Sequence, residues 1–512
     1  MLIKILPLKS RLFITLIIMA LAPASRVFAQ PLAKAKLDSI MDFIQNHHLA
    51  MGSVAIAKNG RFIYSRTLGF ADQPPGNSQA IPLDTAAQYA IGSVTKMFTA
   101  VMVLQLVEQG KLTLQTPLSR FFPKIPLADR ITIQMLLGHR SGLPDYINDP
   151  IESFATDSCL SLYGYDQQKV LSAVQWMQAP VTKDSILRLI IQSKRHFSPG
   201  TQIGYNNSGY WLLAAIMEKV TGRSYADNLR TRIIEKSGLL HTEPWSAKAD
   251  SKVASKACLK ALPAKGLGTG PGTTFIYCEG WQPVKDLYLP NVQGAGDLLS
   301  TATDLTRFMQ ALFDGRLINE KSLGFMRDFY DKDSSRLHQF GFGLESAYFD
   351  GPQPRVAEGH SGDTYYSHSS VVYFPDLHLS ICCLLNGNNP VFDRNDLLGI
   401  LYDAAVGAPV NYPGIDLYEM TQAQLLPLVG NYYSDQLKLS VTVTMDCHTL
   451  IISPKGQTPF ITFCEDAYTV SNPSLGITCK FNKEGSHMVL TQHGKSFDFL
   501  RQSKDSKVTK LN

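Results

Sequence analysis

The sequence predicts a two-part chain, an α/β (α+β) domain with an inserted helical lobe followed by a separate all-β domain. Strand-like segments at 52–68 return at 369–385, so both ends of the first part supply strands to one core. The stretch between them, from 131 to about 235, is mainly helical in its apolar spacing. Beyond 437, apolar and polar residues alternate strictly, which is the period of a half-buried strand.

Residues 1–29 read as a secretory signal peptide outside the fold. Lys4, Lys9 and Arg11 precede an apolar core from Leu12 to Ala22, and Val27-Phe28-Ala29 is a small-residue cleavage site. That core is too short to span a bilayer, no later apolar run is long enough, and no cysteine stands at the cleavage site to take a lipid. The expectation is release into a bacterial periplasm or beyond, without stable membrane insertion. Leu37 to Ile44 then forms an amphipathic helix. Gly52–Lys58 and Phe62–Leu68 form a hairpin around Asn59-Gly60, a strong turn dipeptide.

A helix starting at Ser93 carries a broad apolar stripe of Met97, Phe98, Val101, Leu104 and Val107, and Gly110 ends it. Ile131, Met135, Leu136 and Leu137 open another helix, and Tyr210 to Val220 a third. Residues 147–180 read as an inserted excursion, and the Gly-, Pro- and Lys-rich 240–290 as surface loops. Strand character returns at Phe340–Leu344, Ser369–Phe374 and Leu377–Leu385, the last two joined at Pro375-Asp376, and Asn395–Val406 is a closing helix. Pro409 and Pro413 mark a linker at 408–418, which divides a domain at 30–407 from one at 419–512. In the second domain a short helix precedes Leu437, Leu439, Val441, Val443 and Met445. Short strands follow at Thr449–Ser453, Phe460–Cys464, Ile477–Phe481, His487–Thr491 and Phe497–Leu500, the pattern of a small antiparallel barrel or sandwich.

Charge excludes some partners. Without the four cations of residues 1–29 (Lys4, Lys9, Arg11, Arg26) the formal net charge falls from +5 to +1. Nothing then favours nucleic acid or an anionic surface. Of the eight cysteines, Cys382 and Cys383 are adjacent in an apolar strand and point to opposite faces as buried thiols. Cys258 with Cys278 could staple a loop, and Cys447, Cys464 and Cys479 could supply another bridge. No spacing resembles a metal site, and no cofactor is implied.

The chemistry gathers at Ser93-Val94-Thr95-Lys96, the only Ser-x-x-Lys of the chain. A serine hydroxyl is a weak nucleophile at neutral pH and needs a base against it. Residues three apart share a helix face, and a buried lysine can lose its proton and accept that of the serine. Such a pair is more often a solvated helix face, but the neighbours of this one are apolar. Tyr205-Asn206-Asn207 precedes the Tyr210 helix, where an asparagine can equally be an N-cap. His360-Ser361-Gly362 lies at a strand edge inside Glu358-Gly359-His360-Ser361-Gly362-Asp363, where a histidine is more often a half-buried structural group. His139 reads as the organiser of a turn near Gly142-Leu143-Pro144.

These three motifs, in this order, resemble the class C β-lactamase and penicillin-binding superfamily of serine hydrolases. The segments Leu136-Leu137-Gly138-His139-Arg140-Ser141-Gly142-Leu143-Pro144, Ser198-Pro199-Gly200 and Ser300-Thr301-Ala302-Thr303-Asp304-Leu305 carry the same resemblance, which covers about residues 35–407. It implies a β-lactamase/transpeptidase-like sandwich with the site between the sheet and the helical lobe. It also implies that Ser93 forms an acyl-enzyme. Lys96 and Tyr205 would share the base work, with the phenol helped to ionise by the ammonium. Asn207 would orient substrate and Lys96, and the N–H groups of Ser93 and Asp363 would form the oxyanion hole. The second domain resembles a lipocalin-like appended module, partner unknown.

His360 departs from the lysine usual in β-lactamases of this superfamily, and so removes a fixed positive charge from the substrate site. The Asp363 carboxylate adds a negative one unless it turns away. Both favour a serine hydrolase of amides or esters, with a small-molecule or D-amino-acid peptide substrate, over a β-lactamase proper. A carboxylesterase using the same site is the nearest enzymatic alternative. A catalytically silent binding protein is the alternative of another class, and the retention of Ser93, Lys96 and Tyr205 argues against it. His368 lies near the third motif but is not assigned to the chemistry.

Overall fold

In the computed structural model the described residues run from 32 to 502. The larger segments 1–31, 73–80, 153–178, 246–257, 261–280, 284–287, 330–337, 350–353, 411–421 and 503–512 lie outside them, with shorter gaps elsewhere. The expected signal peptide, most of the 147–180, 240–290 and linker segments, and Cys278 and Cys447 therefore fall outside the described residues.

One antiparallel sheet of seven strands organises the first part of the chain. Its order is His338–Phe340, Glu345–Phe349, Arg355–Asp363, His368–Phe374, Leu379–Leu385, Gly52–Lys58 and Arg61–Leu68. Gly52–Lys58 pairs with Leu379–Leu385 along its whole length, so the two ends of this part do close one sheet. Side chains alternate across a strand, and the two faces have separate cores. On one face Val54, Ile56, Cys383 and Phe374 pack under the helices Lys34–Asn46 and Arg394–Val406. On the other, Ala55, Cys382, Leu384 and Tyr373 meet the helical lobe, where Phe98 stacks on Phe308 with ring centres 3.9 Å apart. Cys382 and Cys383 are thus buried on opposite faces.

The lobe contains Thr95–Glu108, Ile133–Leu137, Lys183–Gln192, Asn207–Thr221 and Ala302–Phe313. Thr95–Glu108 is buried nearly all round rather than on one stripe, which suits a helix enclosed by sheet and lobe. Gly110, at φ +68°, follows its end. The expected strand Phe340–Leu344 is not one strand. Phe340 ends a strand and Glu345 begins the next, while Gly341–Leu344 reverses the chain. Gly343 makes this fit, because a Cβ there would lie 2.9 Å from the Lys96 carbonyl oxygen and its φ is +75°.

The second part of the chain is a nearly closed antiparallel barrel. Its nine strands follow the order Phe460–Ile461, Thr449–Pro454, Leu439–Asp446, Gly430–Ser434, Lys495–Arg501, His487–Gln492, Ile477–Phe481, Thr469–Asn472, Phe463–Cys464. The two outermost strands are separated in sequence by Thr462 alone, whose N–H and hydroxyl both donate to Leu450 O at 2.9 Å. Tyr432, Val441, Val443, Ile452, Val470, Met488 and Phe499 fill the interior. Cys464 and Cys479 are buried free thiols, so the bridge considered among Cys447, Cys464 and Cys479 is not formed by that pair. Residues 430–434 and 469–472 are strands that the sequence pattern did not mark.

Candidate active site

Ser93 sits on a single 3-10 turn, Gly92–Val94, which runs directly into the helix Thr95–Glu108. Gly92 has φ +49°, and a Cβ on it would lie 2.8 Å from both N and O of Asp363. From the other side, a Cβ on Gly362 would lie 2.0 Å from Ile91 O and 2.8 Å from Ser93 N. Two glycines therefore let the Ser93 turn and the strand Arg355–Asp363 touch backbone to backbone. That strand pairs with Glu345–Phe349 only as far as Gly359, so His360–Asp363 has one open edge, as expected. Thr364 N donates to Ser367 O at 3.0 Å, which by ladder alternation turns the Asp363 N–H away from its partner strand and to the side of Ser93. Two N–H groups, of Ser93 and Asp363, thus border one small space.

Lys96 lies one turn along and is wholly buried. Its Nζ reaches Ser93 Oγ at 2.9 Å, Asn207 Oδ1 at 2.8 Å and Ala295 O at 2.9 Å. Burial lowers its pKa to about 7, while the carboxylates of Asp145 and Glu345 pull it back up. The two carbonyl partners can only accept, so a neutral Lys96 gives its two hydrogens to Asn207 and Ala295 and turns its lone pair to Ser93. The Asn207 amide cannot be reversed, because its Nδ2 donates to Asp145 Oδ2 at 3.0 Å.

Tyr205 completes the contact, its hydroxyl donating to Ser93 Oγ at 2.6 Å. Burial raises its pKa well above the ordinary phenol value, Glu345 adds to that, and the Ser93 bond only partly offsets it. The expectation of a readily ionised phenol is therefore corrected: Tyr205 rests as a neutral donor. The N-cap reading falls on its neighbour, since Asn206 Oδ1 accepts from Gly209 N at 2.8 Å. His139 does organise a turn, with φ +56°, and it does more. Its Nδ1 accepts from Asn206 N at 3.1 Å and its ring stacks on Tyr205 at 4.6 Å. Burial and the Lys96 charge keep it neutral.

Three groups that sequence reasoning did not single out support the site. Asp145 is buried and accepts from Ile147 N, Asn148 N, Asn207 N and Asn207 Nδ2 at 2.8–3.1 Å. Burial pushes its pKa up against those donors. It directly follows the Gly142-Leu143-Pro144 segment, so a signal lay next to it. Glu345 Oε2 accepts from Ser361 N at 3.1 Å and Ser361 Oγ at 3.0 Å, and its Oε1 lies 3.5 Å from His360 Nε2. Arg394 Nη2 donates to Asp363 Oδ2 at 3.0 Å, and His368 Nδ1 lies 2.6 Å from Asp363 Oδ1. Desolvation works against the Asp363 carboxylate, but these partners outweigh it and hold its pKa at about 2. Its charge is thus paired rather than aimed at substrate. Glu345 and Arg394 carry no local sequence signal, since strand register and the fold alone bring them here.

The sequence-expected residues Ser93, Tyr205, Asn207, Ser361 and Asp363, with Glu345, line one cleft of about 270 Å³, and Lys96 closes its floor. His360 is buried behind it and 2% exposed. Among the described residues no cluster of His, Cys, Asp or Glu could hold a metal ion. Such an arrangement can activate a hydroxyl and stabilise an oxyanion.

The family model described as Beta-lactamase matches residues 30–405. The chain belongs to the beta-lactamase family of serine hydrolases. Within that family, a penicillin-binding protein of Bacillus subtilis (strain 168) is 28% identical over 288 residues, 56% of this chain and 57% of its own length. The chain thus spans little more than half of that relative. The teichoic acid D-alanine hydrolase of Staphylococcus aureus (strain MRSA252) is 26% identical over 369 residues, 71% of this chain and 78% of that protein. Among solved structures, the D-amino acid amidase of Ochrobactrum anthropi SV3 has TM-score 0.53 at 23% identity, covering 72% of this chain and 98% of its own. The octameric penicillin-binding protein homologue of Pyrococcus abyssi has TM-score 0.59 at 20% identity, covering 92% of this chain and all of its own. These two likenesses speak for the fold, and the second extends over the barrel. No helix among the described residues is long and apolar enough to cross a membrane.

Proposed function

We propose that this protein is an exported hydrolase that opens an amide or ester at a D-amino acid through an acyl-Ser93 intermediate. The observation that carries the reading is the hold on Ser93 Oγ, with Lys96 Nζ at 2.9 Å and the Tyr205 hydroxyl at 2.6 Å. Ser93 Oγ attacks the substrate carbonyl as its proton passes to the Lys96 lone pair. The N–H groups of Ser93 and Asp363 receive the oxyanion. When the bond to the leaving group breaks, Tyr205 supplies the proton and is replenished from Lys96, and water then releases the acyl group by the reverse relay. Asn207 fixes Lys96 in register, and Ser361 with Gly362 borders the acyl site. The residue pattern of 1–29 supports export, and the names of the relatives support a D-amino acid as the acyl or leaving part.

Intact-protein mass after mixing with a penicillin, with Ser93→Ala as control, tests the mechanism. The expected result is a mass increase of one penicillin on the unsubstituted chain and none on the variant. Equal labelling of Ser93→Ala, or its retained hydrolysis of D-amino acid amides and small esters, would exclude Ser93 as the nucleophile.

A further inference from the structure

We infer that Arg394 is a positioning residue of the oxyanion site, holding from behind the peptide whose N–H faces the space beside Ser93. This inference rests on the acyl-Ser93 reading above and adds a residue to its machinery. A trans peptide is planar, so its C=O and N–H point in opposite directions, and holding one end aims the other. The peptide joining Gly362 to Asp363 turns its N–H to the side of Ser93. Its carbonyl, Gly362 O, lies on the side of the strand His368–Phe374, where Gly362 stands opposite Ser369. Beyond Gly359 this strand has a ladder partner on that side only, so the sheet fixes the tilt of the peptide from one edge. Gly362 cannot add a side chain to lock it, because a Cβ there would lie 2.0 Å from Ile91 O.

Arg394 grips both residues of that peptide. Its Nη1 donates to Gly362 O at 3.3 Å and to Asp363 Oδ1, and its Nη2 donates to Asp363 Oδ2 at 3.0 Å. Contacts from one planar guanidinium to two residues fix a rotation as well as a distance. Ser369 Oγ also reaches Gly362 O, at 3.1 Å, but it has a single hydrogen and a shorter contact to Ile91 O at 2.7 Å. Arg394 opens the helix Arg394–Val406, which packs on the face of the sheet away from the lobe. It is not one of the described residues that line the cleft, so it acts through the peptide rather than on substrate. The guanidinium also works on charge. An unpaired Asp363 carboxylate would oppose an oxyanion at its own N–H, and Arg394 with His368 pairs it. A cation beside Gly362 O polarises the peptide so that its N–H end donates more strongly.

The test measures hydrolysis of p-nitrophenyl acetate and its inhibition by phenylboronic acid, whose tetrahedral adduct with a serine places a hydroxyl where the oxyanion forms. Arg394→Ala should lower kcat about 10- to 100-fold, the scale of a misplaced group, and leave KM within about twofold. It should weaken inhibition by the boronic acid by a similar factor, because only the transition state and its analogue draw on the oxyanion donors. Arg394→Lys keeps the charge but not the fork, and should show the same paired loss to a smaller extent. A kcat loss with unchanged boronic acid inhibition, or a loss confined to KM, overturns the inference. If Arg394→Ala does not fold, an Arg394→Lys enzyme with both quantities unchanged overturns it equally. Ser93-dependent turnover by the unsubstituted enzyme beside such a result means that the positioning role alone has failed. Absence of all Ser93-dependent turnover overturns the acyl-Ser93 reading as well.

Discussion

The cleft and the barrel interior are both enclosed largely by antiparallel strands, yet they are filled in opposite ways. The barrel closes over apolar side chains and two thiols, and the Tyr432 hydroxyl rests against the carbonyls of Leu428 and Gly485. The floor and walls of the cleft bury Lys96, Asp145, His139, Asn207, Glu345 and His360 within one network. Burying such groups costs free energy unless each finds partners. In the barrel, burial removes water from side chains that pack against one another. In the cleft the same desolvation brings Lys96 down to about 7, where an amine can both take and return a proton. Packing is an end in one region and a means of tuning in the other.

That contrast can be broken most sharply at Ser93. Ser93→Ala should lower hydrolysis on the order of 10⁴-fold or more while leaving the thermal midpoint nearly unchanged, as steady-state kinetics and a melting curve would show. Lys96→Arg should lose activity to a similar degree, because guanidinium cannot serve as a base. In the unsubstituted enzyme, kcat/KM should rise as the pH passes upward through about 7, where Lys96 gives up its proton.

Asp145→Asn should cost about 10- to 100-fold in kcat/KM by loosening the hold on Asn207. Since the Asp145 charge raises the Lys96 pKa, its removal should also move the rising limb of the pH profile to lower pH. A profile that stays in place would limit Asp145 to packing. In the barrel the signature reverses: Phe499→Ala should destabilise that part by about 3–5 kcal/mol and leave kcat/KM within about twofold. The smallest effect concerns the barrel thiols. Burial pushes Cys464 up to about 11 and Cys479 up to about 12, so both should resist a thiol reagent until denaturant is added.

Much of the contrast could be read from the sequence because it depends on local spacing. Ser93 and Lys96 meet by helical geometry, and the strict alternation from Leu439 to Met445 marks a strand whatever surrounds it. The two-sided burial of Cys382 and Cys383 followed from strand periodicity. What escaped depends on register and on long-range burial. Glu345 stands opposite Gly359 only because two strands align, and Arg394 reaches Asp363 from the first residue of another element. The neutral state of Tyr205 required its depth and the nearby Glu345 carboxylate, neither of which adjoins it in sequence. Phe340–Leu344 reads as one strand in sequence because an apolar run hides the reversal at Gly341 and Gly343.

The backbone contact between Gly92 and Asp363 bears on biosynthesis. A ribosome releases Ser93 and Lys96 early and Asp363 much later, and Gly52–Lys58 finds its ladder partner only when Leu379–Leu385 has emerged. In the acyl-Ser93 mechanism proposed above, a growing or still-unfolded chain holds the nucleophile and its amine but lacks the second oxyanion donor and the wall opposite. Hydrolytic competence therefore arrives late and all at once, so a chain threaded across a membrane before folding would stay inert until it reached the far side.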